Sequence, residues 1–324
     1  MNNKLQELLH DISEQLDKIE YGAEPKELYD PIKYIMSLGG KRLRPILVLL
    51  AYRLFKDDHK SILNQALAVE VFHNFTLVHD DIMDNAPLRR GKPTVHEKWN
   101  ESTAILSGDV MMVQAYDLLL DTKDNLAEII KDFNACAAGV CEGQQLDMNF
   151  EELPTVEEAE YLNMIRLKTA VLLGFSLKLG AMLAGARTEE AEALYKFGVD
   201  IGIGFQLKDD LLDVYADQEK FGKQVGGDII SNKKTFLLLK ALELADRNQL
   251  ERLEKWISLA DFDPKEKVEA VKEVYAEIGI RALTLSKMKE YFQEGFKALA
   301  KIDAPEEKKE TLIDFTNYLI NRDR

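Results

Sequence analysis

The sequence has few cysteines and an excess of acidic over basic residues. Its 324 residues include only Cys136 and Cys141, which cannot build a disulfide framework and suit a reducing compartment. With 42 Lys and Arg against 57 Asp and Glu, the formal net charge is −15 at pH 7. This charge argues against a general nucleic-acid binder, because such proteins present basic surfaces.

We also expect no membrane-spanning segment in this sequence. The first residues lack the apolar core of a signal peptide. The most apolar stretch, 171–186, is interrupted by Lys178 and is too short to cross a bilayer. We therefore expect a soluble, cytoplasmic protein with no transmembrane segment and no nucleic-acid partner.

Proline is scarce, and its distribution favours helix. None of the eight prolines lies between Pro154 and Pro264, so the strongest helix breaker is missing from that part of the chain. Apolar residues recur at three- and four-residue steps in 5–19 and 250–260, as on one face of an amphipathic helix. The sequence shows neither alternating strands bounded by Asn-Gly or Asp-Gly turns nor a dinucleotide-binding glycine motif. It predicts an all-α fold in a single domain over residues 1–324, with nearly uniformly apolar helices buried in its core.

Two aspartate clusters share the spacing Asp-Asp-x-x-Asp. They comprise Asp80, Asp81 and Asp84, and further along Asp209, Asp210 and Asp213. On a helix, residues four apart lie on one face, so their like charges repel unless a cation compensates them. Two such helices facing each other would offer hard oxygen ligands to Mg²⁺, which also takes water and substrate phosphate oxygens. A solvated acidic face is the alternative for either cluster alone, although such faces more often carry Lys or Arg four residues away.

Basic residues form separate clusters. Residues 39–45 read GGKRLRP and residues 89–94 read RRGKPT, while Lys168, Lys223 and the pair 233–234 lie later in the chain. Arginine offers a planar fork to phosphate and lysine a point charge. Their combination favours phosphate binding over a merely solubilising surface.

Four motifs in this order resemble those of the trans-polyprenyl diphosphate synthases. They are GGKRLRP at 39–45, HDDIMDNAPLRRGKPT at 79–94, GFQLKDDLLDVYAD at 204–217 and FGKQVGGDIISNKKT at 221–235. The resemblance covers nearly the whole chain. It implies an all-α isoprenoid-synthase-type helical bundle around a central cavity, and a homodimer. It also implies a Mg²⁺-dependent prenyltransferase that joins isopentenyl diphosphate head to tail (1'-4) to an allylic diphosphate of C5, C10 or C15.

The resemblance further implies roles for individual residues. Those similar to the isopentenyl diphosphate site are Lys41, Arg44, His73 and Arg90. Those similar to the allylic diphosphate site are Arg89, Lys168, Thr169, Gln206, Lys223 and Lys233, with Lys234 as an alternative to Lys233. The metal ligands by resemblance are Asp80, Asp84 and Asp209, supported by Asp81, Asp210 and Asp213, for about three Mg²⁺ ions with Mn²⁺ as a substitute. Asp147, in a Gly-Gln-x-x-Asp segment, is expected near the metals.

Product length is expected to depend on Phe75, upstream of the first aspartate cluster. On an ideal helix Phe75 lies about 140° round from Asp80, so geometry alone nominates Thr76 or His73 as same-face neighbours. The role of Phe75 as the chain-length floor therefore rests on the family resemblance. A bulky residue there, with the small Thr76 and the two-residue motif spacing, favours a C20 product, geranylgeranyl diphosphate. Farnesyl diphosphate (C15) is the alternative.

Other classes fit the sequence less well. A non-catalytic partner subunit would usually have lost aspartates or basic residues that are all present here. A di-iron bundle needs two inward-facing Glu-x-x-His pairs, and the pair at 7–10 falls on the polar face of its helix. A class I terpene cyclase usually carries a different second motif. We expect His10 and His59 at the surface, and both cysteines in the core.

Overall fold

The computed structural model describes residues 3–216 and 226–321, and most of them are helical. The helices up to residue 152 are α1 (Asn3–Leu16), α2 (Lys26–Ser37), α3 (Leu43–Phe55), α4 (Leu63–Met83), α5 (Val95–Lys98), α6 (Glu101–Leu120) and α7 (Leu126–Glu152). The later helices are α8 (Glu158–Ile165), α9 (Val171–Ala184), α10 (Thr188–Tyr215), α11 (Gly227–Ile230), α12 (Phe236–Leu244), α13 (Arg247–Ser258), α14 (Pro264–Ile278), α15 (Ile280–Ala300) and α16 (Glu306–Asn321). A 3-10 turn covers His59–Ile62 and a π-helical turn covers Arg166–Ala170. The predicted all-α fold is thus confirmed.

The chain divides into two compact units. Unit 1 comprises Met1–Ala135, Phe175–Tyr195 and Asp303–Leu312. Unit 2 comprises Cys136–Gly174, Lys196–Ile302 and Ile313–Arg324. The single domain over 1–324 stays a prediction.

The core of unit 1 is built on α3, α4 and α6. Helix α4 packs along α6 and against α3, while α1 contacts both α3 and α4. Helix α3 is apolar nearly all round, and nine of its residues are buried, as predicted for an interior helix. A Cβ atom on Gly180 would lie 2.2 Å from the carbonyl oxygen of Val48, so α9 can lie this close to α3 only with glycine there.

Two expectations about polar residues were wrong. His59 is buried rather than exposed, with its Nε2 atom 2.8 Å from Oδ2 of Asp11. His59 can be buried because Asp11, on α1, pairs with it. The two residues are 48 positions apart, so the sequence does not reveal the pair. Cys136 is buried as expected, but Cys141 is exposed on α7.

A small hairpin interrupts the helices of unit 1. Strands β1 (Leu88–Arg89) and β2 (Lys92–Pro93) pair antiparallel, with Leu88 opposite Pro93. The two residues between them, Arg90 and Gly91, have φ of 52° and 74°. A two-residue turn with positive φ at both positions matches the twist of a hairpin, which explains this short departure from the all-helical prediction.

Unit 2 is organised around α12 and α14. Helix α12 packs against α8, α14 and α15, and α14 also contacts α11 and α13. The first four residues of α12, all Phe or Leu, are buried. This packing holds the start of α12 in place. The segment before α12 carries residues of the candidate site.

Two helical stretches are long and apolar enough to cross a membrane on length and composition alone. They are Glu101–Leu120 and Glu158–Ala184. In the second, 67% of the apolar window is buried inside the protein, as in a core helix. In the first, only 33% is buried, so α6 carries an apolar face that unit 1 does not cover.

Candidate active site

The first aspartate cluster lies at the C-terminal end of α4, in unit 1. Asp80 and Asp81 are in its last turn and Asp84 is its C-cap residue. The backbone N–H of Asp84 donates to the carbonyl of Asp80 at 2.8 Å, so helical geometry extends to Asp84. The predicted same-face arrangement of Asp80 and Asp84 therefore exists, and the exposed Asp84 and half-buried Asp80 both reach solvent.

Asp81 differs from its two neighbours because its oxygens are already engaged. It is only 1% exposed and accepts hydrogen bonds from Nε of Arg89 at 2.8 and 2.9 Å and from Nη2 at 2.7 Å. Such a charge-assisted, forked pair fixes the orientation of the guanidinium as well as its position. Asp81, predicted as a supporting metal ligand, thus holds the arginine predicted to bind allylic diphosphate.

The hairpin places Arg90 on the loop of the GGKRLRP motif. The guanidinium of Arg90 donates to the carbonyl of Gly39. Gly40 has a φ of 140°, and a Cβ atom there would lie 2.9 Å from Nη2 of Arg90. Glycine adopts this positive φ without strain, and the guanidinium of Arg90 lies directly against it.

A buried ion pair anchors the same loop. Arg42 has a φ of 48° at the N-cap of α3, and its Nη1 atom is 2.6 Å from Oε1 of Glu70. Its Nη2 atom donates to the carbonyl of Met36 at 2.8 Å. Because Lys41 and Arg44 flank Arg42, the pair fixes the backbone from which both predicted phosphate ligands extend.

Positive charge concentrates around His73 in this unit. Desolvation, followed by the charges of Arg44, Arg90, Arg89 and Arg42, holds the pKa of His73 well below its usual value. The imidazole is therefore neutral, surrounded by cations that repel a further proton. Such a region favours an anionic ligand.

The second aspartate cluster lies on α10, in unit 2. Asp209 is exposed and Asp213 is half-buried, whereas Asp210 is buried. Asp210 accepts hydrogen bonds from the hydroxyl of Tyr161 and from Nε2 of Gln206 at 3.2 Å. Burial, and next the charge of Asp228, raise the pKa of Asp210 to about 7.

Asp228 joins this acidic group from α11. Its backbone N–H donates to Oδ2 of Asp213 at 2.9 Å. Burial, followed by the charge of Asp213, raises the pKa of Asp228 to about 6. The carboxylates crowd one another, and a divalent cation would relieve their repulsion and stabilise their ionised forms. Because the donors are all oxygens, without histidine or cysteine, the group fits Mg²⁺.

A cationic group in unit 2 is organised by Asp147. This carboxylate lies 2.5 Å from Nζ of Lys168 and 3.7 Å from Nζ of Lys233. Burial alone would raise the pKa of Asp147, but Lys233 and Lys168 bring it below its usual value. Lys234 instead donates to the carbonyl of Glu151 at 3.3 Å, so Lys233 is the lysine of this pair that joins the group.

Lys168 and Thr169 lie in the π-helical turn between α8 and α9. Such turns widen a helix locally and frequently occur at functional sites. A Cβ atom on Gly143 would lie 2.2 Å from the backbone nitrogen of Lys168, so α7 approaches the turn closely. The hydroxyl of Thr169 donates to Oε1 of Gln206 at 3.2 Å, which links the turn to α10.

Phe75, the predicted chain-length floor, is held between two rings on α4. Its centroid is 4.7 Å from that of His79 and 5.6 Å from that of Phe72. Nε2 of His79 lies 3.2 Å from the carbonyl oxygen of Ile105 on α6. The aromatic side chain is therefore braced on both sides.

The predicted site residues thus fall into two groups, one in each unit. Unit 1 holds Lys41, Arg44, His73, Phe75, Asp80, Asp81, Asp84, Arg89 and Arg90, and unit 2 holds Lys168, Thr169, Gln206, Asp209, Asp210, Asp213 and Lys233. Lys223 lies outside the described residues. The sequence analysis gave no role in the site to Glu70, Tyr161 or Asp228. The two glycines before Asp228 could have drawn attention to it.

Comparison with known proteins identifies the family. Residues 25–278 match the family described as Polyprenyl synthetase. A geranylgeranyl diphosphate synthase of Methanosarcina mazei is 38% identical over 320 residues, 95% of this chain and 94% of its own. A short chain isoprenyl diphosphate synthase of Methanocaldococcus jannaschii is 43% identical over 271 residues, 82% of each chain.

Solved structures agree with this assignment. A crystal structure of a geranylgeranyl pyrophosphate synthase is 44% identical, covers 99% of both chains and has a TM-score of 0.94. A Caulobacter crescentus polyprenyl synthase, solved with calcium and isoprenyl diphosphate, is 27% identical with a TM-score of 0.87, over 99% of this chain and 98% of its own. The chain belongs to the polyprenyl synthetase family and has its helical isoprenoid-synthase fold. It is a short-chain prenyltransferase, as the sequence predicts, in a family that generally depends on Mg²⁺.

Proposed function

We propose that the protein condenses isopentenyl diphosphate with allylic diphosphates of C5, C10 and C15 and releases geranylgeranyl diphosphate (C20). The observation that carries this proposal is the forked pair between Asp81 and Arg89. It fixes the guanidinium of Arg89 next to Asp80 and Asp84, which reach solvent at the end of the helix that carries Asp81. Several curated relatives are named geranylgeranyl diphosphate or pyrophosphate synthase, which supports the C20 product, while farnesyl diphosphate (C15) is the alternative.

The carboxylates that would hold Mg²⁺ are Asp80 and Asp84 in unit 1 and Asp209 and Asp213 in unit 2. Asp81 and Asp210 support them through Arg89 and Tyr161. When bound, about three such ions supply positive charge to the diphosphate that leaves the allylic substrate. All the donors are carboxylate oxygens, so Mn²⁺ would be accepted in place of Mg²⁺.

The basic residues would bind the two diphosphates and stabilise charge. Arg89, Lys168 and Lys233 bind the allylic diphosphate, together with Thr169, Gln206 and, by resemblance, Lys223. Lys41, Arg44, His73 and Arg90 bind isopentenyl diphosphate. As the allylic carbon–oxygen bond breaks, negative charge grows on the leaving group, and the fixed cations stabilise it without reorganising.

Carbon–carbon bond formation needs no nucleophilic side chain. The double bond of isopentenyl diphosphate attacks the allylic carbocation, and the resulting cation loses a proton to the departed diphosphate. Apolar surroundings would protect the carbocation from water. In this scheme the protein binds, orients and excludes solvent.

The deciding experiment is incubation with isopentenyl diphosphate and each of the C5, C10 and C15 allylic diphosphates, followed by mass analysis. We expect a product that stops at C20 from each primer, and no turnover in excess chelator. A C15 end product would establish the farnesyl alternative. No product under any of these conditions would support a non-catalytic subunit instead.

We also propose that the protein is a soluble cytoplasmic homodimer, with the exposed face of α6 as the contact between copies. Leu106, Val113 and Leu120 are spaced by seven residues, so they share one face, and they are 57%, 58% and 56% exposed. A second copy of the chain would bury this apolar stripe. Changing Leu106 and Val113 to Glu should give monomers by light scattering, whereas Leu244→Glu, at another exposed leucine, should not.

Phe75→Ala should lengthen the product. Removing the ring that His79 and Phe72 brace would open the space that the growing chain needs. We expect products longer than C20 by mass analysis, with turnover retained. An unchanged C20 product from an active variant would show that Phe75 is ordinary core packing.

A further inference from the structure

Lys267, on α14 in unit 2, is a buried cation in neutral surroundings. The residue is 1% exposed, and its Nζ atom donates to the carbonyl of Ile230 at 3.1 Å and to Oδ1 of Asn232 at 2.6 Å. It also lies 4.2 Å from the ring centroid of Phe262. Among the described residues, no carboxylate lies within 4.0 Å of this ammonium. Burying a lysine without an acid is costly unless its N–H groups are hydrogen-bonded. The two oxygen acceptors therefore stabilise the ammonium, and the ammonium in turn holds them in place.

The acceptors belong to the turn that leads from α11 towards α12. Asn232 has a φ of 56°, and its Nδ2 atom donates to the carbonyl of Ile257 at 3.0 Å. Its side-chain amide therefore joins Lys267 on one side to the end of α13 on the other. The left-handed backbone at Asn232 is held by contacts from two helices.

This turn carries a lysine of the candidate site. The residue after Asn232 is Lys233, whose backbone N–H donates to the carbonyl of Asp228 at 2.8 Å. The side chain of Lys233 then extends to Asp147, 3.7 Å away. Any change of backbone direction at Asn232 would move Lys233 away from Asp147 and from Lys168.

We propose that Lys267 is a positioning residue for diphosphate binding: it fixes the Asn232 turn and thereby places Lys233. This inference rests on the proposed function, because it takes Lys233 as a ligand of the allylic diphosphate. Lys267 touches no substrate itself. Hydrogen bonds from a charged donor are stronger than those between neutral groups, so the two bonds of Lys267 favour one conformation of this short turn.

The test is Lys267→Met, which keeps the length of the side chain and removes its donors. We expect the KM for the allylic diphosphate to rise about tenfold, with kcat and the KM for isopentenyl diphosphate within about twofold of wild type. Lys265→Met, at an exposed lysine in the first turn of the same helix, is the matched control and should change none of them. A uniform loss of kcat without a change in either KM would overturn the proposal.

Asn232→Gly tests the same connection without altering the core. Glycine tolerates the positive φ but lacks the amide, so it should reproduce the rise in the allylic KM. The double variant with Lys267→Met should lose less than the sum of the two single losses, because the bond between Lys267 and Asn232 is already broken in each single variant. Additive losses would show that Lys267 and Asn232 act separately, which contradicts the proposal.

Calorimetric titration with inorganic diphosphate and Mg²⁺ separates this inference from the proposed function. We expect about tenfold weaker binding to Lys267→Met than to wild type. Equal affinities would overturn the role of Lys267 alone. A wild-type protein that binds diphosphate but makes no prenyl product would overturn the proposed function alone.

Discussion

Asp80→Asn and Asp209→Asn should each lower kcat by about a thousandfold or more. Each substitution keeps the shape of the side chain and removes one negative charge from a metal-binding cluster. The remaining carboxylates would hold Mg²⁺ less well, and charge on the leaving diphosphate would lose part of its stabilisation. Because Asp80 is half-buried and Asp209 exposed, neither change should disturb folding.

The two aspartate variants are compared with a control that loses the same charge elsewhere, and their Mg²⁺ requirement is measured as well. Asp314→Asn removes the same charge from an exposed position on α16 and should leave kcat unchanged. The Mg²⁺ concentration for half-maximal rate should rise in the two active-site variants and not in the control. If either variant kept a tenth of wild-type activity, the residue concerned would be peripheral to the metal site.

Much of the fold could be predicted because helix formation leaves a local signal. The proline-free middle of the chain and the apolar steps of α1 and α13 predict helices that the structure contains. The hairpin at Arg90 and Gly91 was missed because its strands are only two residues long. Such a short hairpin is defined by the conformation of its two turn residues, and it leaves no periodic pattern in the sequence.

The sequence predicted which residue types form the candidate site, but not which of these residues pair with each other. The sequence places Asp81 in an acidic cluster and Arg89 in a basic one, which suggested separate ligands for metal and phosphate. The structure joins them, because the hairpin folds back onto the end of α4. A contact between residues distant in sequence, such as Tyr161 with Asp210, depends on how helices pack and leaves no local pattern.

The role of Glu70 likewise left no local pattern in the sequence. In the sequence it stood out only as part of a Glu-x-x-His pair, a spacing that suggests a di-iron site. In the structure its carboxylate binds Arg42, and it also lies 3.3 Å from Nδ2 of Asn74. Its charge therefore compensates the arginine inside the GGKRLRP motif, and the pair holds the loop in place.

Arg42→Met should produce a large loss of stability. The side chains of Arg42 and Glu70 are 9% and 3% exposed, so the substitution leaves a buried carboxylate without its cation. Removing one partner of a buried pair typically costs about 3–5 kcal/mol, and we expect a loss of that size in the free energy of unfolding measured with urea.

Two further variants separate this effect from the general cost of losing an arginine. Arg252→Met breaks an ion pair with Glu277 whose side chains are 34% and 44% exposed, and should leave the free energy of unfolding nearly unchanged, because solvent screens such a pair. Combining Arg42→Met with Glu70→Leu should restore most of the lost stability, because no buried charge then remains unpaired. Equal losses in Arg42→Met and Arg252→Met would mean that the pair does not anchor the loop. In that case the positions of Lys41 and Arg44 must depend on Gly40 and Arg90 instead.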